Sequence, residues 1–321
     1  MDLESRTDQE HREILGLLPA DLFDLSDLAA GIERIEGLLA ATPVELPDDV
    51  TLEDHHVTTS DGHDLVVRLY RPRDAPAPAS VLYWIHGGGL VLGDVAIDDG
   101  HCAGVAAELG IVVASVDYRL APAWPYPTPL DDCHAGFGWL VGEADRLGLD
   151  RGRVAIGGGS AGGGLAAGLV LMLRDRGEQL PCFQLLRYPM IDDRNDTPSS
   201  HEITDGRVWN RSSNLVGWQA YLGDTVGGDR VDHYAAPARA LDLEGVPPTL
   251  VTVGALDLFR DEDIAYAQAL MRAGVPTELH VHPSSFHGSD QMVAHAATSR
   301  RWRRDELDAL ARALGRPIYR G

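Results

Sequence analysis

Lysine is missing altogether: all 27 basic residues of the 321-residue chain are arginine. No Schiff-base chemistry, lysine general base or phosphate-cradling lysine is then available. Cysteine is scarce. Cys102, Cys133 and Cys182 show no metal-ligand spacing, and so sparse and odd a set points to reduced, mostly buried thiols, leaving room for one disulfide. Long apolar runs are lacking too; the best, around residues 165–173, is far too short to cross a bilayer. The opening stretch, MDLESRTDQEHREILGLLP, is acidic and has no basic segment leading into an apolar one. It does not read as a signal peptide, and the protein is expected to be soluble and cytoplasmic. Positive charge is in deficit: 49 acidic residues against 27 basic ones leave a formal net charge of -22. Such a surface repels phosphate backbones and anionic lipid, which disfavours nucleic acid and membranes as partners and leaves neutral or cationic small molecules.

What is present is an ordinary globular composition, 44% apolar and 24% charged, long enough for one large α/β domain or two modest ones. Residues 1–45 are expected to be helical. Leu28, Ile32, Ile35 and Leu39 make one apolar stripe, Ser26 is placed to cap it, and Pro43 and Pro47 close the segment. From about residue 50 the pattern turns to strands, beginning with a hairpin whose turn is Asp61-Gly62. SVLYWI, IVVASVDYR, RVAIGGG, FQLLRYPM, TLVTVGAL and TELHVHP follow as short apolar runs, separated by helix-compatible segments at 101–110, 131–147, 161–177 and 262–273. This alternation predicts an α/β fold over residues 46–321, with a mostly parallel central sheet and helices on both faces. Residues 192–229 break the rhythm and are expected as an insertion over the carboxyl edge of the sheet. A final helix is expected from about residue 288 to 314.

The strongest chemical signal is RVAIGGGSAGGGLAAGLVLML. A β-type run ends in Gly158-Gly159-Ser160-Ala161-Gly162 and a helix of small residues begins at once, which is the strand–turn–helix setting of a nucleophile elbow. Ser160 also stands at a helix N-terminus, which favours a developing anion. A glycine-rich phosphate-binding turn is the competing reading; the missing lysine and the lack of a downstream acidic-ribose pattern weigh against it. The second signal is His86-Gly87-Gly88-Gly89 after VLYWI. Consecutive glycines let backbone N–H groups face a substrate oxygen, so Gly88 and Gly89, with Ala161, are the candidate oxyanion-hole donors. A nucleophile on such an elbow is followed in the chain by an acid and then a histidine. His287, in the loop after TELHVHP, is the candidate base. His280 and His282 alternate within the strand and read as packed or surface residues. Asp257 follows TLVTVGAL at a strand tip and is the candidate acid, whereas Asp261, Glu262 and Asp263 open the next helix and suit its dipole.

With these motifs in order, the chain resembles the hormone-sensitive-lipase-like family of α/β-hydrolases, in its bacterial esterase branch. It also carries Asp117-Tyr118-Arg119-Leu120-Ala121-Pro122, close to the family's YRLAPE stretch, Asp257-Leu258-Phe259-Arg260-Asp261-Glu262 and Phe286-His287-Gly288. The resemblance implies an α/β-hydrolase fold and a carboxylesterase acting on short- to medium-chain acyl esters through Ser160, Asp257 and His287. It makes residues 1–45 and 192–229 a cap over the substrate pockets, with Trp209 and Trp218 as candidate pocket residues. A homodimer through the last strand and helix is implied as well; no metal or organic cofactor is. Gly159 stands where the family usually has Asp or Thr, Ser289 where Phe often follows His-Gly, and Ala123 where Glu follows the proline. These departures bear on substrate preference. An amidase, lactonase or deacetylase would use the same residues, and a non-catalytic binder on this fold would lack a complete triad.

Overall fold

A glycine at φ +85° in the Asp61-Gly62 turn allows the chain to reverse tightly, and strands Val50–Thr58 (β1) and Asp64–Pro72 (β2) pair antiparallel from Thr58 opposite Asp64 to Val50 opposite Pro72. The computed structural model describes residues 2–41 and 45–317. Beyond the hairpin come Ala79–Ile85 (β3), Val112–Val116 (β4), Leu149–Gly159 (β5), Phe183–Arg187 (β6), Thr249–Gly254 (β7) and Thr277–His282 (β8). Together they form one eight-stranded sheet in the order β1-β2-β4-β3-β5-β6-β7-β8. β2 meets β4 antiparallel, and every later pairing is parallel. Every residue of β3, β4 and β6 is buried, as expected of parallel strands covered on both faces.

Two hydrophobic clusters mark the two faces. One takes Leu130, Phe137, Leu165, Leu169, Tyr266 and Leu270 from the helices Thr128–Gly142, Ala161–Arg176 and Arg260–Arg272. The other joins Cys102 and Leu109 of Asp99–Leu109 to Leu307 and Leu310 of Ala297–Ala313, against Trp84 and Leu185 of the sheet. Cys102, Cys133 and Cys182 are free thiols, the first two buried. Among the described residues no helix is long and apolar enough to cross a membrane.

The ends differ from the sequence expectation in detail. The stripe-bearing helix spans Leu28–Ala40, and its N-cap is Asp27 rather than Ser26: the Asp27 carboxylate accepts the Ala30 N–H, while Ser26 precedes the helix. Pro43 lies outside the described residues. A separate short helix, Gln9–Leu15, precedes this one. The last helix begins at Ala297, after a short turn at Ser289–Met292, because Val293 and Ala296 leave helical backbone angles. Glu262 and Asp263 stand in the first turn of the helix Arg260–Arg272, as expected, but not on a solvent face. Both are buried; Glu262 accepts the Ile191 and Asp192 N–H groups, and neither oxygen of Asp263 has a hydrogen-bond partner.

A buried ion pair ties the sheet to the last helix. Arg187, 2% exposed, donates to both oxygens of Glu306 at 3.0 and 2.5 Å and lies over the Trp84 ring. Trp302 and Thr252 donate to the same Glu306 carboxylate. Removing one partner of a buried pair leaves the other charge uncompensated. Glu306→Gln should therefore lower stability by about 3 kcal/mol, read as a drop in the urea midpoint.

Burial, reinforced by repulsion from Glu262 and Asp257, holds the Asp263 carboxyl well above its ordinary range. Between the ordinary carboxylate value and that raised one, the folded protein keeps a proton that the unfolded chain has lost, so rising pH destabilises the fold through this group. Asp263→Asn carries no such proton linkage and should gain in stability on the parent as pH rises to 8. Urea titrations at pH 4.5 and 8 should show the advantage shrinking at the lower pH.

Candidate active site

Ser160 sits where β5 gives way to the helix Ala161–Arg176, with φ 56° and ψ -122°, a backbone conformation that costs strain in any residue with a side chain. The turn survives because Gly158 and Gly162, two residues to either side, have none. A Cβ on Gly162 would stand 2.0 Å from the Ile85 carbonyl oxygen, so the helix can press against the end of β3 only with glycine there. Two backbone bonds pin the serine: its N–H donates to Arg187 O at 2.9 Å and its carbonyl accepts from Met190 at 2.9 Å.

The acid and base arrive from the far side of the sheet. Asp257 follows β7 and His287 follows β8, and the loops that carry them are joined by Ala255 N–H to His282 O at 2.8 Å and Leu256 N–H to Ser285 O at 2.9 Å. His287 Nδ1–H donates to Asp257 Oδ2 at 2.8 Å, and Ser160 Oγ–H donates to His287 Nε2 at 3.0 Å, the tautomer following from the carboxylate on Nδ1. Asp257 is fully buried, with 7% exposure for Ser160 and 9% for His287. The other Asp257 oxygen accepts the Phe259 N–H, and the His287 ring meets Tyr188 and Phe259 edge-on. The three residues singled out from the sequence thus make one hydrogen-bonded line.

The glycine loop after β3 passes beside the serine: a Cβ on Gly87 would lie 3.5 Å from Ser160 Cβ. Gly88 and Gly89 take φ +114° and +58°, and the Gly88 carbonyl turns back to accept from Val91 and Leu92. Ala161 is the first residue of its helix, so its N–H has no acceptor four residues back within it. The loop is braced from behind by residues whose part the motif reading left open. Tyr118 stacks on His86 at 4.3 Å and donates its hydroxyl to His86 O at 3.0 Å. Ala121 N–H bonds Leu90 O, and Arg119 is held by Asp132 and Asp61. Tyr188, at φ +35° against the His287 ring, carried no sequence signal, because its position depends on a backbone angle.

Trp209 lies directly on the glycine loop. A Cβ on Gly89 would come within 2.1 Å of its indole, and one on Gly217 within 2.6 Å of Gly89 O, so the helix Arg211–Leu222 also presses on the loop. The N-terminal segment closes on the same region: Phe23 meets the Trp209 ring edge-on, accepts from Ser213 Oγ through its carbonyl and donates its N–H to Gly206 O. Trp218 is 1% exposed and packs towards Tyr221, in the body of that helix. Gly159 has room for a side chain, since a Cβ there would meet Tyr188 and Trp84 only at ordinary contact distance.

Known proteins align with this arrangement along most of the chain. A family model described as the alpha/beta hydrolase fold matches residues 82–291. An ethyl acetate hydrolase of Pseudomonas putida is 35% identical over 274 residues, 84% of this chain and 85% of its own. The carboxylesterase NlhH of Mycobacterium tuberculosis is 34% identical over 301 residues, 92% of this chain and 93% of its own. Among solved structures, a bacterial heroin esterase superposes with a TM-score of 0.92 at 41% identity, covering 97% of this chain and 98% of its own. The chain therefore belongs to the hormone-sensitive-lipase-like family of α/β-hydrolases and is a carboxylic-ester hydrolase.

Proposed function

We propose that the chain hydrolyses short- to medium-chain acyl esters through an acyl-enzyme on Ser160. The observation that carries this reading is the line from Ser160 Oγ through His287 to buried Asp257, at 3.0 and 2.8 Å. His287 Nε2 takes the serine proton as Oγ attacks the ester carbonyl carbon. The carbonyl oxygen becomes an oxyanion facing the N–H groups of Gly88, Gly89 and Ala161. The imidazolium, stabilised by Asp257, then protonates the departing alcohol. Water attacks the acyl-enzyme with His287 as base again, releasing the acid and restoring Ser160.

Residues 1–45 and 192–229 are assigned as the cap, on the contacts of Phe23, Ser213 and Trp209 with one another and with the glycine loop. Trp209 is assigned as a pocket wall, since its indole covers Gly89; Trp218, the other pocket candidate, packs against Tyr221 in the helix Arg211–Leu222. A bulky aromatic this close to the oxyanion donors suits compact acyl groups. A cytoplasmic location and a homodimer through β8 and the last helix complete the proposal.

Turnover of p-nitrophenyl esters from acetate to palmitate tests the reading. The rate should peak at the short end, and Ser160→Ala should lose on the order of 10⁴-fold or more in kcat while keeping its melting temperature. Serine-independent turnover, or a peak at palmitate, would overturn it. Asp257→Asn leaves the geometry near intact but permits the wrong imidazole tautomer, and should cost on the order of 10⁴-fold in kcat. Steady-state kinetics on the acetate ester reads that loss.

A further inference from the structure

The outer edge of the sheet gathers three groups that ester hydrolysis does not use. β8 is one of the two edge strands, and His280 and His282, two residues apart, share one of its faces. That face looks onto the helix Ala297–Ala313, which supplies Asp305. One ligand atom from each of His280, His282 and Asp305 lies within 4.8 Å of the other two, and His280 Nδ1 is already 3.5 Å from Asp305 Oδ2.

The imidazoles are poorly satisfied as packing residues. His282 is 4% exposed and lies flat on Trp302, with ring centroids 4.2 Å apart. Its Nε2 has no hydrogen-bond partner, and neither has His280 Nδ1. A buried polar atom left unpaired is costly, and a bound ion is one way to offset it. Glu278 Oε2 stands 3.7 Å from His280 Nε2, where a carboxylate orients a ligating histidine from behind. Arg301 is the nearby cation, 3.9 Å from Asp305, but its side chain is 76% exposed and free to turn into solvent.

We propose that His280, His282 and Asp305 form a binding site for a divalent transition-metal ion, Zn²⁺ fitting best. Two imidazoles and one carboxylate are a borderline donor set that suits Zn²⁺ and its neighbours and not Mg²⁺ or Ca²⁺. Tetrahedral Zn²⁺ puts its ligand atoms about 3.4 Å apart, a closure within reach of the two half-buried side chains, with water as the fourth ligand. The ion staples the edge strand to the last helix. It also anchors the start of the loop that carries His287, which follows His282 by five residues.

The test is equilibrium dialysis of the metal-stripped full chain against Zn²⁺, paired with thermal denaturation. One Zn²⁺ should bind per chain, with a melting temperature that climbs as Zn²⁺ is raised. His280→Ala and Asp305→Asn should each weaken binding tenfold or more and abolish that rise. Both sites are partly exposed, so these variants should fold; His282 is left intact because its stacking on Trp302 supports the core. No binding at about 100 µM Zn²⁺ would overturn the proposal. So would binding of equal strength in both variants, which would put the ion elsewhere among the 13 histidines.

Discussion

The structure turns on one steric constraint, the approach of the Ser160 turn to the end of β3. Helix Ala161–Arg176 begins so near the Ile85 carbonyl that a single Cβ at Gly162 would overlap it. This contact drives Ser160 into its strained conformation and holds its side chain at the carboxyl edge of the sheet. It also fixes the distance to the glycine loop, because that loop leaves the same strand. Strain of this kind persists only where surrounding packing over-determines it. Here the packing comes from a helix whose first thirteen residues are all buried and from backbone bonds to Arg187 and Met190.

The site is then closed from two directions. On one side the N-terminal segment and the insertion meet each other before they meet the sheet, through Phe23, Gly206, Ser213 and Trp209. Gly89 is caught between the Trp209 indole and Gly217, so the shape of the glycine loop depends on segments far away in sequence. On the other side, a run of buried polar contacts leads from Arg187 and Glu306 to Trp302, with Tyr188 packed between the Trp302 and His287 rings. The His287 ring is thus oriented by the last helix as well as by Asp257. The buried Arg187 guanidinium behind these rings is paired by Glu306 and Asp290, so no uncompensated charge is left there.

The net charge of -22 leaves little mark on this interior. Glu306 is paired with Arg187, while burial pushes the Glu262 and Asp263 carboxyls well above their ordinary range. The excess of acid sits on the surface, where it governs which solutes approach.

Much was legible from the chain alone. Strand and helix periodicity carried the alternating α/β order, and the G-x-S-x-G, HGGG and Phe-His-Gly stretches named the residues that meet around Ser160. Those signals are local: each is a run of apolar residues or a glycine that a turn requires. Whatever depended on distant packing was not legible. The N-cap of the stripe-bearing helix fell to Asp27 instead of Ser26 because the helix began one residue later than its polarity suggested. Glu262 and Asp263 proved buried, since nothing in a helix-opening acidic run says that the insertion will fold over it. Tyr188 against His287, and the imidazoles of β8 facing Asp305, arise from neighbours more than twenty residues away. The sequence determined the chemistry and its order along the chain; only the tertiary structure decided which polar groups lost their water, because burial is set by what lands on top of a residue and not by what stands beside it.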